Sequence, residues 1–129
     1  MAITLTTAAR DVMCDALVDD IDGGTTDTTG DLVLKTSGDV TVATLTWTAT
    51  PAFGNSSTGV ATMNTINDDT NAAGGDLTGG YHMFQDRDNA EVFRGSIGTS
   101  GADLNISSLN IGVGDTVSCS SYTVTVPAS

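Results

Sequence analysis

From Asp31 onward, the sequence consists of short runs in which polar and apolar residues alternate, separated by segments rich in Gly, Asp and Asn. The clearest run extends from Val40 to Thr50, where Thr alternates with Val, Ala, Leu and Trp47. A period of two indicates strands with one buried face. About seven or eight such runs at regular spacing predict a mainly β protein, an antiparallel β-sandwich or a jelly-roll-like barrel.

Turn residues mark where these runs end and where the chain reverses. We predict strands over 31–36, 40–50, 59–66, 80–85, 91–97, 104–111 and 116–126. Three segments whose Gly, Asn and Asp residues tolerate turn conformations are Ser37–Asp39, Asp86–Asn89 and Gly112–Asp115. The last two predict hairpins that pair 80–85 with 91–97 and 104–111 with 116–126. The stretch 67–80 is predicted to be a long polar loop.

The N-terminal region is the part of the chain with a helical period. Six apolar residues recur at the spacing of one helix face: Ala9, Val12, Met13, Ala16, Leu17 and Ile21. They predict a helix from Thr7 to about Asp22. Thr6 or Thr7 can cap its N-terminus, and Gly23-Gly24 stop it.

The two faces of this helix predict its orientation. The face around Val12, Met13, Ala16 and Leu17 is apolar, so we expect it to pack on the sandwich. The other face carries the charged residues Arg10, Asp11, Asp15 and Asp19. We therefore divide a single domain, residues 1–129, into an N-terminal arm (1–7), a helix (7–22) and a β-sandwich (31–127).

The net charge excludes several classes of partner. Sixteen Asp and Glu residues oppose four Lys and Arg residues, which gives a formal net charge of -12. Nucleic acids and anionic membranes bind clustered basic residues, so we expect neither as a partner. Only 5% of the residues are aromatic, so we expect a thin core. No run approaches the roughly 18 apolar residues of a membrane-spanning helix.

Two acidic clusters are candidate cation sites. Asp19–Gly23 and Asp86–Glu91 offer the carboxylates that Ca²⁺ prefers. The first lacks the alternating oxygen ligands and the closing Glu of an EF-hand loop, and Arg87 and Ala90 interrupt the second. We therefore interpret these residues as turn-forming aspartates and assign no metal and no cofactor.

No grouping of residues in the sequence predicts catalysis. His82 is the one histidine, and neither a second His nor a Cys pair accompanies it at the spacing of a zinc site. Cys14 and Cys119 are far apart, and we interpret both as small buried residues, with a disulfide between them left open. We predict that the protein is not an enzyme.

Short motifs spread over nearly the whole chain carry a family resemblance. They are Ile3–Arg10 with the helix that runs into Gly23-Gly24, Val42–Thr46, Pro51–Gly54, Gly59–Thr62, Phe93–Gly98, Asp103–Asn105 and Val117–Pro127. In these motifs the chain is similar to small structural proteins from the virions of tailed bacteriophages. Decoration proteins of phage heads resemble it in size and β-content, and they often form trimers. The resemblance brings no catalytic or ligand-binding residues with it.

The resemblance implies a particle component, and the charge favours the outer surface of the head, because packaged DNA would repel an acidic protein inside it. We expect a capsid decoration or cement protein that binds the major capsid protein, stabilises the shell and forms a homo-oligomer, by resemblance a trimer. The expected contact with the capsid or a neighbouring subunit is the N-terminal arm: Ala2, Ile3, Thr4, Leu5, Thr6 and Thr7. The N-terminus has no pattern of a secretory signal, so we expect synthesis in the host cytoplasm.

Two alternatives remain open from the sequence. One is a structural component of the tail, neck or baseplate, which would be present in few copies. The other is a carbohydrate-binding or adhesion module on the outside of the virion. Five aromatic residues could form its sugar-stacking platform: Trp47, Phe53, Tyr81, Phe84 and Phe93. With so few aromatic residues in the chain, packing in the core is their favoured use.

Overall fold

The computed structural model describes residues 3–129, which form one α-helix, one short 3-10 helix and nine β-strands. The helix α1 is Thr7–Asp19, and the 3-10 turn Asp20–Asp22 continues it. The strands are β1 (Asp31–Lys35), β2 (Thr41–Thr46), β3 (Val60–Thr62), β4 (Gly75–Asp76), β5 (Tyr81–Gln85), β6 (Glu91–Gly98), β7 (Leu104–Asn105), β8 (Asn110–Ile111) and β9 (Thr123–Thr125). The predicted fold class is confirmed: the protein is mainly β with one N-terminal helix, consistent with a sandwich or barrel-like fold.

A five-stranded sheet in the order β2-β1-β5-β6-β7 forms the body of the fold. Three strand pairs in this sheet are antiparallel: β2 with β1, β1 with β5, and β5 with β6. The fourth pair, β6 with β7, is parallel. The register places Leu32 beside Leu45 and Phe84, and Phe84 beside Phe93, so one face of the sheet is a continuous apolar surface. Alternation along the strands puts this face into the core.

Two smaller sheets and irregular segments cover that apolar face. They pair β3 with β9 and β4 with β8, and an isolated bridge joins Asp69 to Val117. The largest fully buried side chains lie between the layers: Phe53, Phe84, Ile21, Leu32, Leu34, Leu45, Leu77, His82, Val18, Val42 and Cys14. The core is thus built mostly from aliphatic residues around a few aromatic rings.

One predicted hairpin is confirmed and the other is wrong. β5 and β6 pair around a turn in which Asp86 accepts the N–H groups of Asp88 and Ala90, both at 2.9 Å. The segments 104–111 and 116–126 do not pair with each other. Instead β7 joins β6, β8 joins β4 within the predicted loop 67–80, and β9 joins β3. The turn at 112–115 forms, with the N–H of Asp115 bonded to the Gly112 carbonyl at 3.1 Å.

The outer edge of β6 is irregular although β6 is the longest strand. Phe84 pairs with Phe93 and Gln85 with Glu91, which leaves Val92 as a bulge. Further along, Asp103 accepts the outward-pointing N–H of Ser96 at 2.9 Å. The two residues of β7 cover only the end of the strand.

The predicted bounds of the helical segment are confirmed. The Thr6 hydroxyl accepts the N–H of Ala9 at 3.2 Å and forms the N-cap. The 3-10 turn ends at Asp22, and the following Gly24 has φ of 106°, a conformation that favours glycine.

The predicted orientation of α1 is wrong for Val12, Met13 and Ala16, whereas Leu17 packs against the core as predicted. Val12 is 70% exposed and Met13 is 50% exposed, while Cys14, Val18 and Ile21 are the buried residues. The helix is therefore rotated so that much of its apolar stripe faces the solvent.

Polar anchors explain this rotation. Asp15 accepts the N–H of Ser56 and Asp11 accepts the N–H of Gly59, both at 2.7 Å. Arg10 donates from Nε to the carbonyl of Val126 at 2.8 Å. These charge-assisted bonds satisfy backbone groups of the turn before β3 and of the segment after β9. The charged side of α1 is consequently the side that packs on the protein.

Candidate functional site

The outer face of α1 carries no charged side chain over its first three turns. We call Ala8, Val12, Met13 and Ala16, all of them exposed, the α1 stripe. The charged residues within this span, Arg10, Asp11 and Asp15, are half-buried on the opposite side. The sequence period identified Val12, Met13 and Ala16 but not Ala8, and only the long-range anchors show that these residues face outward.

The N-terminal arm leads into this surface. The N–H of Leu5 is bonded to the carbonyl of Ala128 at 2.7 Å, which fixes the base of the arm. Beyond that point Thr4 is exposed and Ile3 is 70% exposed. Of the remaining predicted contact residues, Thr6 caps α1 and Thr7 begins it, whereas Ala2 lies outside the described residues.

The acidic clusters serve as turn anchors. Asp88 accepts the N–H groups of Thr25 and Thr26, both at 2.9 Å, and these bonds lower its pKa. Asp22 accepts the N–H of Ala52 at 2.9 Å. Within residues 3–129, no three His, Cys, Asp or Glu side chains come together as a metal site would require. Asp88 thus holds the segment at Thr25 and Thr26 to the turn between β5 and β6, and Asp22 holds the segment at Ala52 to the end of the helical segment.

His82 links the sheet to the C-terminal segment. Its Nδ1 lies 3.0 Å from the carbonyl oxygen of Ser96 and its Nε2 lies 2.7 Å from the hydroxyl of Tyr122. Because a carbonyl can only accept, Nδ1 carries the proton and Nε2 accepts from Tyr122. Burial lowers the pKa of His82, and burial also raises the pKa of Tyr122 to about 12. Both groups therefore stay neutral at physiological pH, which preserves the hydrogen bond between the Tyr122 hydroxyl and Nε2 of His82.

A cleft of about 600 Å³ lies between the sheet and residues 103–123. Leu32, Leu34 and Leu45 form its floor, and Cys119 stands on its wall. Both cysteines are free; Cys14 is buried as predicted, but Cys119 is only half-buried. Burial raises the pKa of each thiol, so neither has the lowered pKa of a reactive cysteine.

The aromatic side chains pack together inside the fold. Trp47, Phe53 and Phe84 are at most 2% exposed, and their ring centroids lie 5.8 to 6.1 Å apart. Tyr81 and Phe93 are half-buried. Trp47, Phe53 and Phe84 therefore cannot offer a platform to a sugar. The predicted use in the core is confirmed for these three and for Phe93, which packs against them, but not for Tyr81, whose ring lies under Arg94.

Sequence reasoning missed the buried carboxyl of Asp31. It opens β1 at 9% exposure, and burial together with the nearby charge of Asp27 raises its pKa to about 6 from 3.8. Its position directly before the apolar run of β1 is the signal that could have identified it. Because the folded state favours the protonated form, this group stabilises the fold below about pH 4, and that contribution is lost as the pH rises through 6.

Replacing Asp31 with Asn should therefore stabilise the protein at neutral pH. We expect Asp31→Asn to raise the free energy of unfolding by about 1–2 kcal/mol at pH 8 and to leave it unchanged at pH 4. Urea unfolding at both pH values measures this difference. Asp68→Asn, at an exposed position, is the control that changes the net charge equally. A loss of stability in Asp31→Asn at pH 8 would contradict the prediction.

Comparison with protein-family models, curated protein sequences and solved structures finds no match to this chain. Within residues 3–129, no helix combines the length and the apolar character that crossing a bilayer requires.

Proposed function

We propose that this protein is a structural component of a bacteriophage virion that decorates the outer surface of the head and stabilises the shell of major capsid protein. The observation that carries the proposal is the N-terminal arm, because it is fixed at Leu5 and presents an exposed Ile3 beyond that point. An exposed large apolar side chain on a held arm suits insertion into a neighbouring protein.

The distribution of charge supports the exterior of the head. Three of the four basic side chains are engaged within the chain: Arg10 and Arg87 with the carbonyls of Val126 and Asp27, and Arg94 with Glu91. Since sixteen acidic residues also outnumber the four basic ones, the surface is dominated by carboxylates. Such a surface is repelled by packaged DNA, whereas it is compatible with the solvent side of the shell.

Quantitative mass spectrometry of purified parent virions tests the location. A copy number equal to that of the major capsid protein, or a simple symmetry-related fraction of it, would support decoration. A handful of copies would assign the protein to the tail, neck or baseplate instead. Absence from the virion would refute a structural role in the particle.

The arm itself is tested by binding to particles that lack the protein. We expect Ile3→Asp to weaken binding by at least about tenfold, because a buried contact would then hold an unpaired charge. Val40→Asp is the matched control, since Val40 is 61% exposed in the turn between β1 and β2. Equal binding by the two variants would show that the arm makes no contact with the shell. Loss of heat resistance in particles without the protein would support a cementing role.

A further inference from the structure

The amphipathic pattern of α1 differs from that of a helix that serves only its own domain, because α1 buries Cys14 and Val18 but leaves a second apolar surface exposed. Such a helix turns its apolar side to the core. In α1 the α1 stripe faces the solvent, with Val12 70% and Met13 50% exposed, whereas Asp11 and Asp15 are directed at the protein. Val12 and Met13 are neighbours and both exposed, which makes this surface a candidate interaction site.

We propose that the α1 stripe packs against the α1 stripe of a second copy of this chain, with the two helices antiparallel about a two-fold axis. This contact is independent of the proposed function. It adds a self-association surface to the protein, whatever the protein binds through its N-terminal arm.

The absence of charge from the α1 stripe suits a partner that is itself acidic. A basic partner would bind best where carboxylates are exposed, and this chain with its net charge of -12 offers many such places. Turning Asp11 and Asp15 away from the solvent instead removes the carboxylates that would repel a second acidic surface. A second copy offers a matching surface, which is apolar, free of charge over its length and acidic only at the C-terminal end of the helix.

The charges at the ends of α1 select the antiparallel arrangement. Exposed Asp19 and Asp20 lie at the C-terminal end, where the helix dipole disfavours them and no basic residue compensates. The first turn contains no acidic residue, so no carboxylate of the same chain compensates the positive end of the dipole at Thr7. Antiparallel packing brings the two aspartates of each copy to the N-terminus of the other. A parallel arrangement would gather all of these carboxylates at one end.

The small side chains at the ends of the stripe allow close approach. Ala8 and Ala16 flank Val12 and are about 12 Å apart along the axis at the rise of an α-helix. In the antiparallel pair, Ala8 of one copy lies beside Ala16 of the other, and Val12 lies near the two-fold axis. This geometry differs from the trimer expected from the family resemblance.

Sedimentation equilibrium across micromolar to millimolar concentrations tests the association. We expect the wild type to dimerise and Val12→Asp to raise the dissociation constant by at least about tenfold. Val113→Asp is the matched control, because Val113 is 86% exposed on the turn after β8 and gains the same charge. Added salt should strengthen the dimer, since it screens the repulsion between two acidic chains.

Disulfide trapping tests the antiparallel register. In a Cys119→Ser background, oxidation of a mixture of Ala8→Cys and Ala16→Cys should yield a cross-linked heterodimer, whereas each variant alone should cross-link far less. Preferential cross-linking of Ala8→Cys with itself would overturn the antiparallel pair. Circular dichroism melting of each variant checks that the fold is retained.

Several outcomes would refute this contact. A wild-type protein that remains monomeric at millimolar concentration would overturn it, as would a trimer or equal dimerisation of Val12→Asp and Val113→Asp. If the wild type is monomeric and Val12→Asp fails to bind virions, the α1 stripe contacts the shell and not a second copy. Absence of the protein from virions would refute the proposed function while leaving the dimer measurements unaffected.

Discussion

Phe84→Ala should lower the free energy of unfolding by about 3–5 kcal/mol, the range for truncating a fully buried aromatic side chain. Phe84 is 0% exposed and stands at the centre of the aromatic group. Its ring centroid lies 4.7 Å from that of Phe93, 5.0 Å from Tyr122 and 5.8 Å from Trp47. Truncation removes all of these contacts together and leaves a cavity between the two layers.

Urea unfolding measures this effect, and Phe93→Ala provides the comparison. Phe93 is half-buried at the edge of the same group, so its truncation should cost about half as much. Small domains have a total stability of about 5–15 kcal/mol, so Phe84→Ala should leave the protein close to unfolding. Equal losses in the two variants would mean that the aromatic group has no dominant member.

Gly59→Ala should cost about 2–4 kcal/mol, because it disturbs both the backbone and the attachment of α1. Gly59 has φ of 78°, where a side chain adds strain. A Cβ atom there would lie 2.7 Å from both the Arg10 Nε and the Val126 carbonyl oxygen. These are the two atoms whose hydrogen bond holds the charged side of the helix.

Gly101→Ala separates backbone strain from this steric clash. Gly101 has φ of 70°, and an added Cβ would have no atom within 4 Å. We expect it to cost about 1 kcal/mol, the strain of the left-handed conformation alone. Thermal unfolding of both variants, with proteolysis of α1 as a local probe, measures the difference. If Gly59→Ala were no less stable than Gly101→Ala, the Arg10 anchor would contribute little.

The local features of this fold could be predicted from sequence, and the features that depend on distant partners could not. The cap at Thr6 and the turn at Asp86–Asn89 depend on neighbouring residues, and both form as predicted. The partners of β8 and β9 depend on segments tens of residues away, and alternating hydrophobicity does not identify which strand pairs with which.

The orientation of α1 illustrates the same limit for the candidate site. Three of the four residues of the α1 stripe, Val12, Met13 and Ala16, were identified by their period, but that period cannot distinguish a face that contacts its own domain from one that contacts another molecule. The distinction comes from Asp11 and Asp15, whose hydrogen bonds reach residues 56 and 59. From the sequence, these two aspartates are predicted to lie on a face exposed to solvent. A carboxylate that accepts a hydrogen bond from a distant backbone N–H leaves no local pattern in the sequence.

The irregular outer edge of β6 affects whether copies of this chain held at high density can aggregate. Regular, unpaired edges of two molecules can add strand to strand and polymerise into fibrils. The bulge at Val92, the ion pair of Glu91 with Arg94 and the carboxylate of Asp103 on Ser96 all interrupt such a template. We therefore expect crowded copies of this chain to resist amyloid-like growth along β6.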